Sequence, residues 1–295
     1  MSVTDKNFYN ESSALNLGWD PSWFGAKGFD EKLVRNIKKF QKEHGLGADG
    51  LCGPSTYRRA LTKREFESDY AFYKYNHGGK VIHYGDAEIS VDWDKVVTFK
   101  DENFGFPISS GFKRWTRKSN RPIKSFVNHW DVCLNSMSCA KVLKNRNVSV
   151  HFCIDNDGTI IQLHDMNDIC WHGGSSKVNG SSVGVEISNA YYPKYQSWYE
   201  KNGLGKRPIF SGGICHGKSM EDFMDFYPVQ VEALKALWKA VSYATDVTLT
   251  PPPVKWGYSS ECYSGKYVGI MNHFNCSRKK IDCANLDIEE LLKNT

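Results

Sequence analysis

Apolar positions at helical spacing mark the first part of the chain. Leu33, Ile37 and Phe40 recur every three to four residues, which predicts an amphipathic helix. Asp30 and Glu31 suit its N-terminus and Gly45 its end. The turn Ala48-Asp49-Gly50-Leu51-Cys52-Gly53-Pro54 follows, and Ser55 can cap a second short helix from Thr56 to Leu61. Residues 64–78, charged and aromatic, read as a linking helix. The texture then changes: KVIHYGDAEISVDWDKVVTF alternates as strands do and turns at Tyr84-Gly85-Asp86. From residue 122 onward, Ser125–Asn128, Val148–Ile154, Thr159–Leu163 and Val183–Ile187 are short apolar runs that predict strands. Pro228–Ala244, apolar at Val229, Val231, Leu234, Leu237, Trp238 and Val241, predicts a helix packed on them. Residues 190–225, rich in Tyr, Gly and Lys, read as a long surface insertion. The expected layout is a small all-α domain (1–65), a linker and strand-rich extension (66–121) and an α/β domain (122–295).

Composition narrows the class. At about 150 residues per domain, 295 residues suggest two domains. With 40% hydrophobic and 14% aromatic residues the chain has material for real cores, which excludes disordered, collagen-like and coiled-coil classes. No apolar run approaches the ~18 residues of a membrane span, so no membrane insertion is expected. The formal charge of +5 is mild and comes without a Lys/Arg tract. It suits an anionic partner such as a cell-wall polymer as well as it suits nucleic acid, which no basic tract favours, and no nucleic-acid partner is expected. The opening Met1-Ser2-Val3-Thr4-Asp5-Lys6 has neither the basic start nor the apolar stretch of a secretory signal. Nine cysteines without a CxxC pair read as buried, reduced thiols. A monomer is expected.

Candidate chemistry gathers in the second half. Phe126-Val127-Asn128-His129-Trp130-Asp131 puts a histidine where an apolar strand ends. Val148-Ser149-Val150-His151-Phe152 leads into the turn Asp155–Gly158, and Trp171-His172-Gly173-Gly174 precedes Val183-Gly184-Val185-Glu186-Ile187. Ile270-Met271-Asn272-His273 comes before Arg278-Lys279-Lys280-Ile281-Asp282. A glutamate inside an apolar strand needs a partner or a function, because an unpaired buried carboxylate is costly.

Taken in order, these pieces resemble zinc-dependent N-acetylmuramoyl-L-alanine amidases of the type 2 family, relatives of the peptidoglycan recognition proteins. The resemblance runs from about residue 122 to 288, interrupted at 190–225. It implies a mixed central β-sheet flanked by helices, and a Zn2+ ion held by His129, His273 and Asp282, with Cys283 as the alternative third ligand. Two imidazoles and a carboxylate leave the fourth tetrahedral position open, as catalytic zinc requires. It also implies Glu186 as general acid–base, Lys280 as oxyanion stabiliser, and His172, Trp171, Trp130 and His151 as substrate-side residues. Independently, Phe40-Gln41, Gly45-Leu46, Asp49-Gly50-Leu51-x-Gly53-Pro54-x-Thr56 and Ala60-Leu61 resemble the helical peptidoglycan-binding domain of wall hydrolases, with Trp19 and Trp23 as packing residues. Together the two resemblances imply hydrolysis of the amide joining muramic acid to L-alanine. The expected setting is that of a bacteriophage endolysin, held in the host cytoplasm until lysis. A binding protein without catalysis and a zinc peptidase are the alternatives. A glycosidase would need paired carboxylates, and none stands beside Glu186.

Overall fold

The computed structural model describes residues 1–68, 79–116, 119–293 and 295. The backbone divides into two compact units, Met1–Tyr70 and Ala71–Thr295. The smaller unit holds helices α1 (Val3–Leu17), α2 (Glu31–Glu43) and α3 (Pro54–Glu67). α1 has no strong apolar periodicity in the sequence, yet it forms. Ser2 and Asp5 close a capping box at its start, and Gly18 ends it in the left-handed conformation. α2 is the expected helix, with the Asp30 carboxylate accepting from the Leu33 N–H and Leu33, Val34, Ile37 and Phe40 buried. Trp19 is buried as expected, while Trp23 stacks on Tyr57 at 5.9 Å. The expected helix over 64–78 exists as the end of α3, and residues 69–78 lie outside the described residues.

The turn motif of this unit has a structural explanation. Gln41 Nε2 donates to Asp49 Oδ1 (2.8 Å), the Leu51 carbonyl (3.0 Å) and Thr56 Oγ1 (3.1 Å), and Gln41 Oε1 accepts from the Gly50 N–H (2.9 Å). One buried amide therefore fixes the turn by all its hydrogen-bonding groups. Gly50 must be glycine, because its φ is +81° and a Cβ there would lie 2.8 Å from Val34 Cγ1.

The larger unit is built on a mixed six-stranded sheet. Its strands follow hairpin β1 (Val81–Tyr84) and β2 (Ala87–Ser90), which turns at Gly85-Asp86 as expected. They are β3 (Val96–Thr98), β5 (Ser125–Trp130), β6 (Phe152–Ile154), β7 (Ile160–Gln162), β9 (Ser182–Ile187) and β14 (Gly269–Asn272), while β4 (Phe112–Lys113) pairs outside the sheet with β8 (Ile169–Cys170). The order is β14-β5-β9-β6-β7-β3, parallel throughout except between β6 and β7. β3 is thus an edge strand of this sheet, so the segment read as an extension supplies part of its architecture. Helix α4 (Ser136–Asn145) follows β5, and α5 (Ser176–Ser181) precedes β9. All nine cysteines are buried free thiols.

The insertion runs over the surface, much of it exposed, yet it is anchored to the core by a buried set of side chains. It holds α6 (Gln196–Lys201) and two strand pairs, β10 (Ile209–Phe210) with β13 (Phe223–Met224) and β11 (Ile214–Cys215) with β12 (Lys218–Ser219). Tyr195, Trp198, Tyr199, Arg207 and Phe223 are all buried. The Arg207 guanidinium reaches Asn156 Oδ1 (2.6 Å), Gln230 Oε1 (2.8 Å) and the carbonyls of Ser188 and Asp225 (both 3.0 Å). It bolts the insertion to the turn after β6, the end of β9 and the next helix. That helix, α7 (Pro228–Ala244), is the expected one, and its Leu234, Leu237, Trp238 and Val241 enter the main core. Among the described residues no helix is long and apolar enough to cross a membrane.

Candidate metal centre

Three parallel neighbours, β14, β5 and β9, bring their carboxyl ends together. Alternation along a strand decides which side chains meet. Asn128 faces α7, where its Oδ1 accepts from Trp238 Nε1 at 3.1 Å. His129, the next residue, therefore projects from the other face. Glu186 of β9 is in register with His129, so the two share that face. His273 follows the last residue of β14, and Asp282 returns to it after a short strap.

His129, His273 and Asp282 are buried and offer ligand atoms within 4.8 Å of one another. His129 Nδ1 lies 2.9 Å from His273 Nδ1 and 3.2 Å from Asp282 Oδ2, which is 2.9 Å from His273 Nδ1. Ligands of one tetrahedral ion with bonds of ~2.0–2.1 Å stand roughly 3.3 Å apart, so this donor set suits a metal cation. A ligating Nδ1 places the His273 proton on Nε2, which is buried without a hydrogen-bond partner. Burial, reinforced by His273, pushes His129 down to about 4 and keeps it neutral, as a ligand must be. Burial alone would raise the Asp282 carboxyl. The charge of His273 and hydrogen bonds from both histidines instead hold it well below the usual carboxylate range. Cys283, the alternative ligand, is fully buried in the apolar core, and burial raises its thiol well above the ordinary value.

Behind the triad stands a line of histidines. His129 Nε2 lies 3.0 Å from His172 Nδ1, and His172 Nε2 lies 3.4 Å from Ser182 Oγ. With Nδ1 turned to the metal position, His129 donates from Nε2 to His172, which orients the ring as outer partners of metal-bound histidines do. The approach depends on Gly184, two residues before Glu186 on the same strand face. A Cβ there would lie 2.5 Å from His172 Nδ1. Burial also drives His172 well below the ordinary histidine value.

The remaining expected site residues separate into two groups. Trp171 is 44% exposed and, with Ile169, Lys113 and Asn179, lines a cavity of about 500 Å³. Lys280 is exposed on the strap, and its charge adds to the pressure keeping His129 neutral. Two expectations are corrected. Trp130 is core: it is buried, with Phe223 at 5.0 Å and Tyr191 at 5.5 Å, so it offers substrate no surface. His151 is fully buried, its Nδ1 accepting from the Gly184 N–H (3.1 Å) and its Nε2 donating to the Asp168 carbonyl (2.9 Å). It supports the strand beneath the site.

Sequence reasoning missed Gly184, for which a glycine in an apolar strand was the available signal. It also missed Arg121, which had none. Arg121 is buried and donates to the carbonyls of Met166 (3.0 Å) and Ser182 (2.7 Å), joining the loop before β8 to the start of β9.

The chain belongs to the N-acetylmuramoyl-L-alanine amidase family, which residues 119–273 match. Residues 25–59 match a peptidoglycan binding domain. The family match ends at His273, and Asp282, which geometry alone brings to the two histidines, lies beyond it. No curated protein matches the chain. Among solved structures it is similar to AmpDh3 from Pseudomonas aeruginosa in complex with anhydromuramic pentapeptide, at 20% identity and a TM-score of 0.39 over 61% of this chain and 63% of that one. It is also similar to the endolysin N-acetylmuramoyl-L-alanine amidase LysCS from Clostridium intestinale (15% identity, TM-score 0.37, 70% and 97% covered). A third is the amidase AmiD from E. coli (17% identity, TM-score 0.31, 57% and 54% covered).

Proposed function

We propose that the chain is a zinc amidase that cuts peptidoglycan between N-acetylmuramic acid and L-alanine, and that it serves as an endolysin. The carrying observation is the meeting of two imidazoles and one carboxylate, with Glu186 in register beside His129. His129, His273 and Asp282 would hold the ion. When bound, zinc supplies the Lewis acidity that makes water a nucleophile near neutral pH.

The chain's own residues do the rest. Glu186 takes the proton of the attacking water and passes it to the alanine nitrogen as the carbon–nitrogen bond breaks, work usually contributing about 10²–10⁴-fold. The Lys280 ammonium meets the negative charge developing on the carbonyl oxygen. His172 keeps the His129 ring in its ligating orientation. Trp171 forms an apolar wall for the substrate. The N-terminal unit supplies affinity for the wall, a reading supported by its family match. A lysis enzyme kept in the host cytoplasm until release is the setting that joins a wall-binding unit to an amidase.

The test is metal analysis combined with substitution. Wild-type protein should carry one zinc per chain, Asp282→Ala should lose it and Cys283→Ala should keep it. Full activity in metal-free protein would refute the assignment.

A further inference from the structure

The hairpin β11–β12 of the insertion touches the strap that carries Lys280 and Asp282. It turns through His216 and Gly217, whose φ angles are +53° and +73°. Positive φ at both central positions is what a type I′ turn requires, and Asn or Asp fills the first of them most easily. A histidine held there carries a steric cost that glycine and asparagine largely escape. Strain of this kind points to a task for the side chain.

The task is visible. His216 Nε2 lies 2.9 Å from the carbonyl oxygen of Lys280. A carbonyl can only accept, so Nε2 carries the proton and donates. The hairpin is itself held, because the His216 N–H donates to the Trp256 carbonyl at 3.0 Å. Cys215 Sγ also lies 4.0 Å from the Lys280 oxygen. Within the strap the Lys280 N–H donates to the Ser277 carbonyl at 3.2 Å, and Arg278 to Ile281 are exposed. An exposed strap with few buried contacts opens readily unless anchored from outside. Here the anchor grips the backbone of the residue whose ammonium must meet the oxyanion.

We propose that His216 is a positioning residue: it clamps the Lys280 carbonyl and so fixes the Lys280–Asp282 strap for catalysis. This rests on the amidase reading, in which Lys280 serves the reacting carbonyl. It gives the insertion a function, namely a brace on the active site from a segment that Arg207 ties to the core.

His216→Asn separates the two roles of the position, since asparagine keeps the left-handed turn but cannot reach Lys280. The variant should melt at or above the wild-type temperature and keep its metal. Its kcat should fall about tenfold with KM within about twofold, inside the 10²-fold that an ångström of misplacement can cost. His216→Gln, which restores a side-chain N–H donor at longer reach, should recover most of the loss. Amide exchange across residues 277–282 of the metal-free chain should accelerate in His216→Asn and not in His216→Gln. In a Lys280→Ala background His216→Asn should cost nothing further, because coupled residues are not additive. Wild-type kcat in His216→Asn, unchanged exchange in the strap, additive losses, or a kcat loss that tracks equal losses of melting temperature and metal would each overturn the clamp. Should the wild-type chain release no stem peptide, the amidase reading fails, while the exchange experiment still decides whether His216 holds the strap.

Discussion

Replacing Arg207 by methionine tests whether the insertion is part of the folded core. The guanidinium is 1% exposed, donates to four oxygens and lies 4.8 Å and 4.4 Å from the Tyr199 and Tyr227 rings. Hydrogen bonds to a charged group are worth about 1.5–3 kcal/mol each, so a naive sum approaches roughly 6–12 kcal/mol. Two corrections lower it. The Ser188 carbonyl and Gln230 Oε1 each keep a second donor, from Gln230 Nε2 and the Tyr227 N–H, both at 3.0 Å. Methionine also removes the cost of burying a cation among neutral acceptors. What remains is Asn156 Oδ1 and the Asp225 carbonyl losing a donor, at ~1–3 kcal/mol each, with part of the ring contact. The net loss should be about 3 kcal/mol. For a unit of this size that is a fall in Tm of roughly 6–12 °C, read by calorimetry or circular dichroism. Arg207→Lys should be nearly as damaging, since one ammonium cannot span four acceptors in a planar fork. A Tm within about 2 °C of wild type for Arg207→Met would refute the anchoring role.

Other outcomes follow from the same geometry. Gly184→Ala should leave a folded chain in which His172 is displaced, with metal affinity falling about 10–100-fold as for other disturbed outer partners; metal competition measures it, and unchanged affinity would detach His172 from the site. His164 is buried against Phe112, and burial, then Arg114, pushes it down to about 4. Its folded value lies below the unfolded 6.5, so its stabilising effect is full above pH 6.5 and about 3 kcal/mol of it is lost by pH 4. Burial raises Asp168 to about 6 from 3.8, which acts oppositely by adding stability as pH falls through that range, so the wild-type profile partly cancels. His164→Phe should therefore gain about 3 kcal/mol relative to wild type between pH 7 and pH 4 in urea titrations, and an equal pH response would contradict the assignment.

How much of this was legible in the sequence depends on where each signal resided. A histidine at the end of an apolar strand is visible because the strand is, and parallel strands deliver their carboxyl ends to one edge. That made His129, His273 and Glu186 readable together. The resemblance put Asp282 ahead of Cys283, and the fold turns one toward the histidines and the other into the core. Burial defeated the reading of Trp130 and His151, whose residue types suit a site and a core equally. Arg121 and Arg207 carried no local signal, because each acts on carbonyls and amides brought from distant segments. α1 was missed because its stability lies in its caps and in Asn10, which grips the Gly50 carbonyl and the Cys52 N–H, rather than in apolar periodicity.

The central claim, that this chain cuts the muramic acid–L-alanine amide with Glu186 moving the proton, is tested most directly by mass spectrometry of digested sacculi. Wild-type protein should release stem peptides with a free L-alanine N-terminus and leave intact glycan strands bearing the lactyl carboxylate. Glu186→Gln should fold, keep its metal and sediment with sacculi, yet release them at least about 10²-fold more slowly. New termini inside the stem peptide, new reducing ends on the glycan, or a wild-type rate from Glu186→Gln would contradict the account.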